Sequence, residues 1–239
     1  MTPTAKELPP RTAEAEEDQR VVLLDVGWDG YSRLLKMRGE RSVPRMVYLD
    51  GSVFLMSPSF PHERFKERMG IFVIEVVVGL RIPCTPVGST TLRRRAKRGG
   101  IEGDQTYYLA NEVKVRGKRN IILKIDPPPD LAIEVVWTHD ADAATEVYRR
   151  IKVPEVWIYS HPELRILVLQ SNGRYAPVER SSALSVLSAN EIGYWIQKPQ
   201  TESETAWVEA LRRWVADVLV PRHRERTGHD KIETGQQGQ

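Results

Sequence analysis

The sequence predicts an α/β protein, and three stretches carry that prediction. Leu131-Ala-Ile-Glu-Val-Val136, then Asp142 to Lys152, then Val156-Trp-Ile-Tyr159 read as strand, helix and strand. At this spacing they form a βαβ crossover, which requires a parallel pair of strands. Met46 to Met56 reads as two short strands around Asp50-Gly51, the dipeptide that accepts positive φ in a tight hairpin. Phe65, Met69, Phe72, Val73 and Val76 recur every three or four residues, so they give a helix one apolar stripe to lay on a sheet.

The remaining elements follow in order. Residues 1–20 are polar and charged, and residues 222–239 are polar and Gly/Gln-rich, so both ends are expected to be disordered around one folded domain over 21–221. Tyr31, Leu34 and Leu35 have helical spacing, and Gly39 supplies a stop. Pro58 and Pro61 introduce the long helix. Short strands are expected around Pro83–Val87 and Thr106–Leu109, followed by a basic connection with Lys114, Arg116, Lys118 and Arg119. Pro127, Pro128 and Pro129 cannot donate to a sheet ladder and mark the entry to the strand that begins at Leu131. Leu164–Leu169 and Arg174–Val178 flank Ser-Asn-Gly and read as an outer hairpin. Thr201 followed by Glu204 has the capping-box pattern. It opens a C-terminal amphipathic helix with Trp207, Leu211, Trp214 and Val218 on one face, which reads as core rather than binding surface.

Composition narrows the class. The chain has 239 residues, of which 41% are hydrophobic and 28% charged, as expected of a globular protein. Its single cysteine, Cys84, excludes an intramolecular disulfide framework and suits a reducing cytoplasm. The most apolar run, Ile71 to Leu80, contains Glu75 and falls far short of the roughly 20 residues of a membrane span. The acidic cluster from Glu14 to Asp18 lacks the basic-then-apolar order of a signal peptide. A cytoplasmic location is the expectation. A net charge of +3 permits a polyanionic partner. The run Arg93-Arg94-Arg95-Ala96-Lys97-Arg98 places five cations in six residues, enough to neutralise phosphates, and suits a solvated strand edge equally well.

The strand after the three prolines is apolar yet carries acids. Asp130 and Glu134 share one of its faces, and burying a carboxylate is costly unless a metal, a cation or hydrogen bonds compensate it. A solvent-facing sheet surface or a structural ion pair would also account for them. Four residues of regular strand separate their α-carbons by about 13 Å, too far for one hard cation to reach both. Glu134 therefore needs a partner from a neighbouring strand, and Asp104 is placed in sequence to open one. Asp130 is then expected at the sheet's edge, supporting the site from outside or fixing a loop, unless a bulge brings it nearer. Glu63, beside His62 in the first turn of the long helix, is a third candidate acid, although a solvated charge at a helix start is an equally good account of it. Glu134 also lies near the carboxyl end of its strand, where open α/β sheets place their sites.

Several of these residues occur in a familiar series. Leu49-Asp-Gly51, Met56-Ser-Pro58, His62-Glu63, the Asp104 segment with Tyr107-Tyr108, Pro129-Asp-Leu-Ala-Ile-Glu-Val135 and Val153-Pro-Glu-Val-Trp-Ile158 follow in that order. Over roughly residues 28 to 170 the chain resembles the Uma family of putative restriction endonucleases, a bacterial branch of the PD-(D/E)XK nuclease superfamily. The resemblance implies a restriction-endonuclease-like core, a mixed β-sheet flanked by helices, to which the residues themselves add an N-terminal hairpin and a C-terminal amphipathic helix. It also implies hydrolysis of DNA phosphodiester bonds assisted by Mg²⁺ or Mn²⁺. Asp104 matches the family's first acid, Glu134 the acid of its second motif and Glu63 the acid of its first helix, so Asp104 and Glu134 are the implied metal ligands. Cutting both strands of a duplex takes two sites, which a homodimer would provide, though no segment specifies one.

There are two departures from the pattern. Gly103 stands where the family usually has proline before the aspartate. Val136 stands at the lysine position of the strand, and Ala144 at the helix position to which the family commonly moves that lysine, four residues before Tyr148. Arg149 and Arg150 point to other faces of a regular helix, which leaves Lys124 or the basic run at 93–98 as substitutes. A protein that keeps the nuclease fold and binds nucleic acid without cutting it is the alternative.

Overall fold

The computed structural model describes residues 17–137, 141–198 and 203–226. In chain order its elements are β1 (Gln19–Leu23), α1 (Gly27–Arg38), β2 (Arg45–Leu49), β3 (Ser52–Ser57), α2 (Phe60–Leu80), β4 (Thr85–Pro86), β5 (Thr91–Arg94), β6 (Gly99–Glu102) and β7 (Gln105–Tyr108). There follow α3 (Glu112–Val115), β8 (Leu131–Val136), α4 (Asp142–Ile151), β9 (Glu155–Ser160), β10 (Glu163–Leu169), β11 (Tyr175–Val178), α5 (Ala189–Gln197) and α6 (Glu204–Trp214).

Two sheets form. One has the order β11-β10-β9-β8-β7-β4 and is mixed, because the crossover through α4 makes β8 and β9 parallel while β7 runs antiparallel to β8. The other, β1-β3-β2-β6-β5, is antiparallel throughout. The N-terminal hairpin is therefore part of a second sheet rather than an appendage. Its turn is the expected one, with φ of 48° at Asp50 and 102° at Gly51. Strand β2 buries side chains on both faces, since successive residues point to opposite sides. Met46 and Tyr48 pack with Tyr31 of α1, whereas Val47 and Leu49 pack toward α4.

Helix α4 lies between the sheets. Ala144, Val147, Tyr148 and Ile151 touch Leu92 and Ile101 of the antiparallel sheet and Ala132, Val136, Val156 and Ile158 of the mixed one. The outer face of the mixed sheet carries Leu131, Ile133, Val135 and Trp157, covered by α2, α5 and α6. The layers thus run α1, sheet, α4, sheet, then the three remaining long helices, and every residue of β8 is buried.

The helix ends show where local signals held. Ser59 caps α2 by accepting from the His62 amide, and Pro61 sits in its first turn. The capping box belongs to α5, a helix the sequence reading missed, through Ser188 and Glu191. Helix α6 starts instead from Ser203, which accepts from the Ala206 amide at 3.2 Å; Thr201 lies outside the described residues. From Val215 to Leu219 the helix widens into a π-turn. The buried stripe becomes Trp207, Leu211, Val215 and Leu219, and Val218 is 37% exposed, because the wider turn favours a spacing of four residues over the expected mixture of three and four.

Order extends past the boundaries expected from composition. Strand β1 starts at Gln19, and the C-terminal helix continues to 226, held by Arg222 on the Val186 carbonyl and Glu191. The rest of the two ends expected to be disordered, 1–16 and 227–239, lies outside the described residues. Among the described residues no helix is long and apolar enough to cross a membrane.

Candidate active site

The chain leaves the antiparallel sheet at Glu102 and enters the mixed sheet at Gln105, so Gly103 and Asp104 form the passage between them. Gln105 pairs with Ile133, and one step back along this register Asp104 stands opposite Glu134. The Asp104 carboxylate also meets β8 directly, on the Val135 amide next to Glu134.

Asp104 is 1% exposed, and both of its oxygens are engaged. Oδ2 accepts from the Val135 amide at 2.7 Å, which fixes the carboxylate against β8. Oδ1 lies 3.0 Å from His62 Nε2 and also accepts from the guanidinium of Arg45. His62 Nδ1 in turn lies 3.0 Å from Asp18 Oδ2, so the imidazole bridges two carboxylates. Asp18 also accepts from the Ser59 amide through Oδ1, tying the segment before β1 to the start of α2.

Arg45 is the residue the sequence reading did not single out. It opens β2, is 5% exposed, and donates to Glu63 as well as Asp104. Glu63 therefore joins the site through a shared cation. Its other oxygen accepts from Lys66 Nζ at 2.9 Å. One signal for Arg45 was present: it alternates with Val47 and Leu49 on the strand face that packs toward α4, so a charge begins an otherwise apolar face.

Glu134 accepts from the Tyr148 hydroxyl through Oε1. Burial, and after it the charge of Glu134, push the Tyr148 phenol well above its ordinary range, so it stays protonated and serves as a donor. Gly103 makes room for this pair. A Cβ there would fall far inside the van der Waals contact distance of the Tyr148 hydroxyl and 2.6 Å from Glu134 Oε1.

The other candidates lie elsewhere. Asp130 accepts from the Leu109 and Asn111 amides at 2.7 and 2.9 Å and from Asn111 Nδ2 at 2.6 Å, so it fixes the loop after β7 and takes no part in the cluster. Lys124 is exposed on the turn before the three prolines and bonds to none of the site's acids. Arg93, Arg94, Arg95, Lys97 and Arg98 also lead away from Asp104, because Thr91 pairs with Glu102 while Arg94 pairs with Gly99 at the far end of the hairpin. Arg95 faces Asp29 at 3.6 Å and Arg98 faces Asp50 at 3.3 Å. Ala144 is 8% exposed between the two sheets, one turn before Tyr148, so α4 supplies no cation at that position.

A cleft of about 510 Å³ opens beside the Asp104 loop, lined in part by Arg38, Arg41, Ser89, Lys118 and Arg119. Ser89 Oγ donates to the Asp104 carbonyl at 3.2 Å, which joins the cleft wall to the site. Arg38 is paired with Glu102 and Lys118 with Asp126, while Arg41 and Arg119 are exposed.

By donor chemistry the residues fit a hard divalent cation, which takes carboxylate oxygens. By arrangement, the position on Asp104 Oδ1 is held by Arg45, and among the described residues no three His, Cys, Asp or Glu side chains converge closely enough to enclose an ion.

A family model described as Uma2, putative restriction endonuclease, matches residues 28–199. The chain belongs to the Uma2 family. The match spans Arg45, Glu63, Asp104, Glu134 and Tyr148, and leaves β1, Asp18 and α6 outside it. No curated protein matches the chain. Among solved structures, one described as a putative nuclease belonging to DUF820 from Anabaena variabilis ATCC 29413 is similar with a TM-score of 0.48 and 12% identity, covering 67% of this chain and 96% of that one.

Proposed function

We propose that this Uma2 chain is a metal-dependent nuclease that hydrolyses DNA phosphodiester bonds. The observation that carries this reading is the buried Asp104 carboxylate set against β8, on the amide that follows Glu134, inside the span of the family match. Asp104 and Glu134 would hold Mg²⁺ or Mn²⁺, with Glu63 and His62 at its margin. Bound there, the ion would polarise the phosphoryl group and lower the pKa of an attacking water.

The chain's own residues prepare that place. The Val135 amide orients Asp104, Tyr148 orients Glu134, and His62 connects Asp104 to Asp18. The cleft with Arg41 and Arg119 reaches the Asp104 loop through Ser89, and its exposed cations suit a phosphate backbone. The test is cleavage of plasmid and single-stranded DNA with Mg²⁺ or Mn²⁺ against a chelator control. Asp104→Asn and Glu134→Gln should each abolish cutting, and full activity in Glu134→Ala would sink the assignment.

A second reading is a nuclease fold that binds nucleic acid without cutting it. The guanidinium on Asp104, with alanine at 144, favours it. It expects salt-sensitive DNA binding and no cleavage with either metal.

A further inference from the structure

We propose that Arg45 is a latch on the candidate metal site: it neutralises Asp104 and Glu63 while no metal is bound, leaves Asp104 Oδ1 when a divalent cation binds, and then offers its guanidinium to a phosphate oxygen. The inference rests on the metal-dependent reading above.

The argument begins with burial. An arginine so enclosed needs compensating charge, and Arg45 takes it from two acids on different elements, Asp104 before β7 and Glu63 on α2. Of Asp104's two oxygens, Oδ2 is committed to the backbone of β8, whereas Oδ1 is held only by side chains, His62 and Arg45, which can change partners. That atom already carries Arg45. Like charges at contact distance repel strongly in a site largely shielded from water, so a guanidinium and a metal ion would not share one oxygen.

The second contact gives Arg45 somewhere to go. The Glu63 side chain is 38% exposed, so it stands at the rim of the site rather than in its floor. A guanidinium released by Asp104 can remain near Glu63 at the mouth, where a phosphate would arrive. Arginine suits that exchange because its planar fork binds carboxylate and phosphate oxygens in the same geometry. It also supplies, from β2, a cation in the site where α4 has Ala144.

The experiment reads metal binding without turnover. The metal-free full chain, Arg45→Met and Arg45→Lys are titrated with Mn²⁺, and free ion is followed by electron paramagnetic resonance. Removing the competing charge should tighten Mn²⁺ binding by at least about tenfold in Arg45→Met. Arg45→Lys should fall between parent and Arg45→Met, since a point charge cannot hold both acids as a fork does. If Arg45→Met does not fold without metal, the lysine variant carries the comparison. Equal affinity in the parent and the folded variants would overturn the latch while leaving the metal site standing. Absence of Mn²⁺ uptake in all three would overturn the metal-dependent reading, and the latch with it.

Discussion

Gly103 and Tyr148 compete for one volume: the Tyr148 hydroxyl reaches Glu134 only because residue 103 has no Cβ. Glycine at 103 is also a departure from the pattern that the sequence resembles. In the structure it is a packing requirement. Gly103→Ala should therefore destabilise the fold by about 1–3 kcal/mol through overpacking. Tyr148→Phe should recover part of that loss in the double variant, because the ring carbon Cζ is 3.2 Å from the added Cβ and needs only a small shift. Urea titration of the four proteins gives the coupling energy, and strict additivity would contradict the shared volume.

Asp130 separates stability from chemistry. Its carboxylate satisfies two backbone amides and the Asn111 side chain, all on the loop after β7. Asp130→Ala should lower stability by about 1–3 kcal/mol, the cost of leaving buried donors unpaired. Cleavage per folded molecule should stay near the parent value. A selective loss of turnover at unchanged melting temperature would return Asp130 to the site.

The legible parts of the fold were those with local causes. Asp50-Gly51 fixes its hairpin by backbone preference alone, and the stripe from Phe65 to Val76 fixes α2 by period. The partition into two sheets had no such signal. Residues 99–102 and 105–108 are both short strands, and nothing within either says that the first pairs with β2 and the second with β8. Asp130 was separable from Glu134 because a regular strand sets their α-carbons about 13 Å apart. Arg45 was not legible, because one basic residue at a strand start looks like a solvated charge until distant elements bury it. Ser188 with Glu191 has the same spacing as Thr201 with Glu204 and forms the box that opens α5, while Thr201 lies outside the described residues.

Glu155 is a buried acid with no part in the site, although it opens the strand beside β8. It accepts from Trp157 Nε1, Ser181 Oγ and the amides of Ser182 and Ala183, all between 2.6 and 3.0 Å. These bonds clamp the segment after β11 to the mixed sheet. Glu155→Ala strips four donors of their acceptor at once and should cost more than about 3 kcal/mol. Loss of protection at the Ser182 and Ala183 amides in hydrogen exchange is the specific readout, and unchanged protection there would contradict the clamp.

Acid should weaken the hold on α4 through Glu146. Arg149 and then Arg150 hold its carboxyl down to about 2, while Arg150 also forms a two-bond pair with Asp50 in the β2–β3 turn. This folded value lies below the ordinary 4.5, so the carboxylate stabilises the fold fully above pH 4.5 and loses that contribution as pH falls toward 2. Glu146→Gln should therefore be less stable than the parent at pH 7 and converge with it near pH 2. Because the side chain is partly open to solvent, the gap at pH 7 should also shrink in high salt. Urea midpoints for both proteins at pH 7, 4 and 2.5 test this, and a gap that stays constant across the series would show that Glu146 acts by packing rather than by charge.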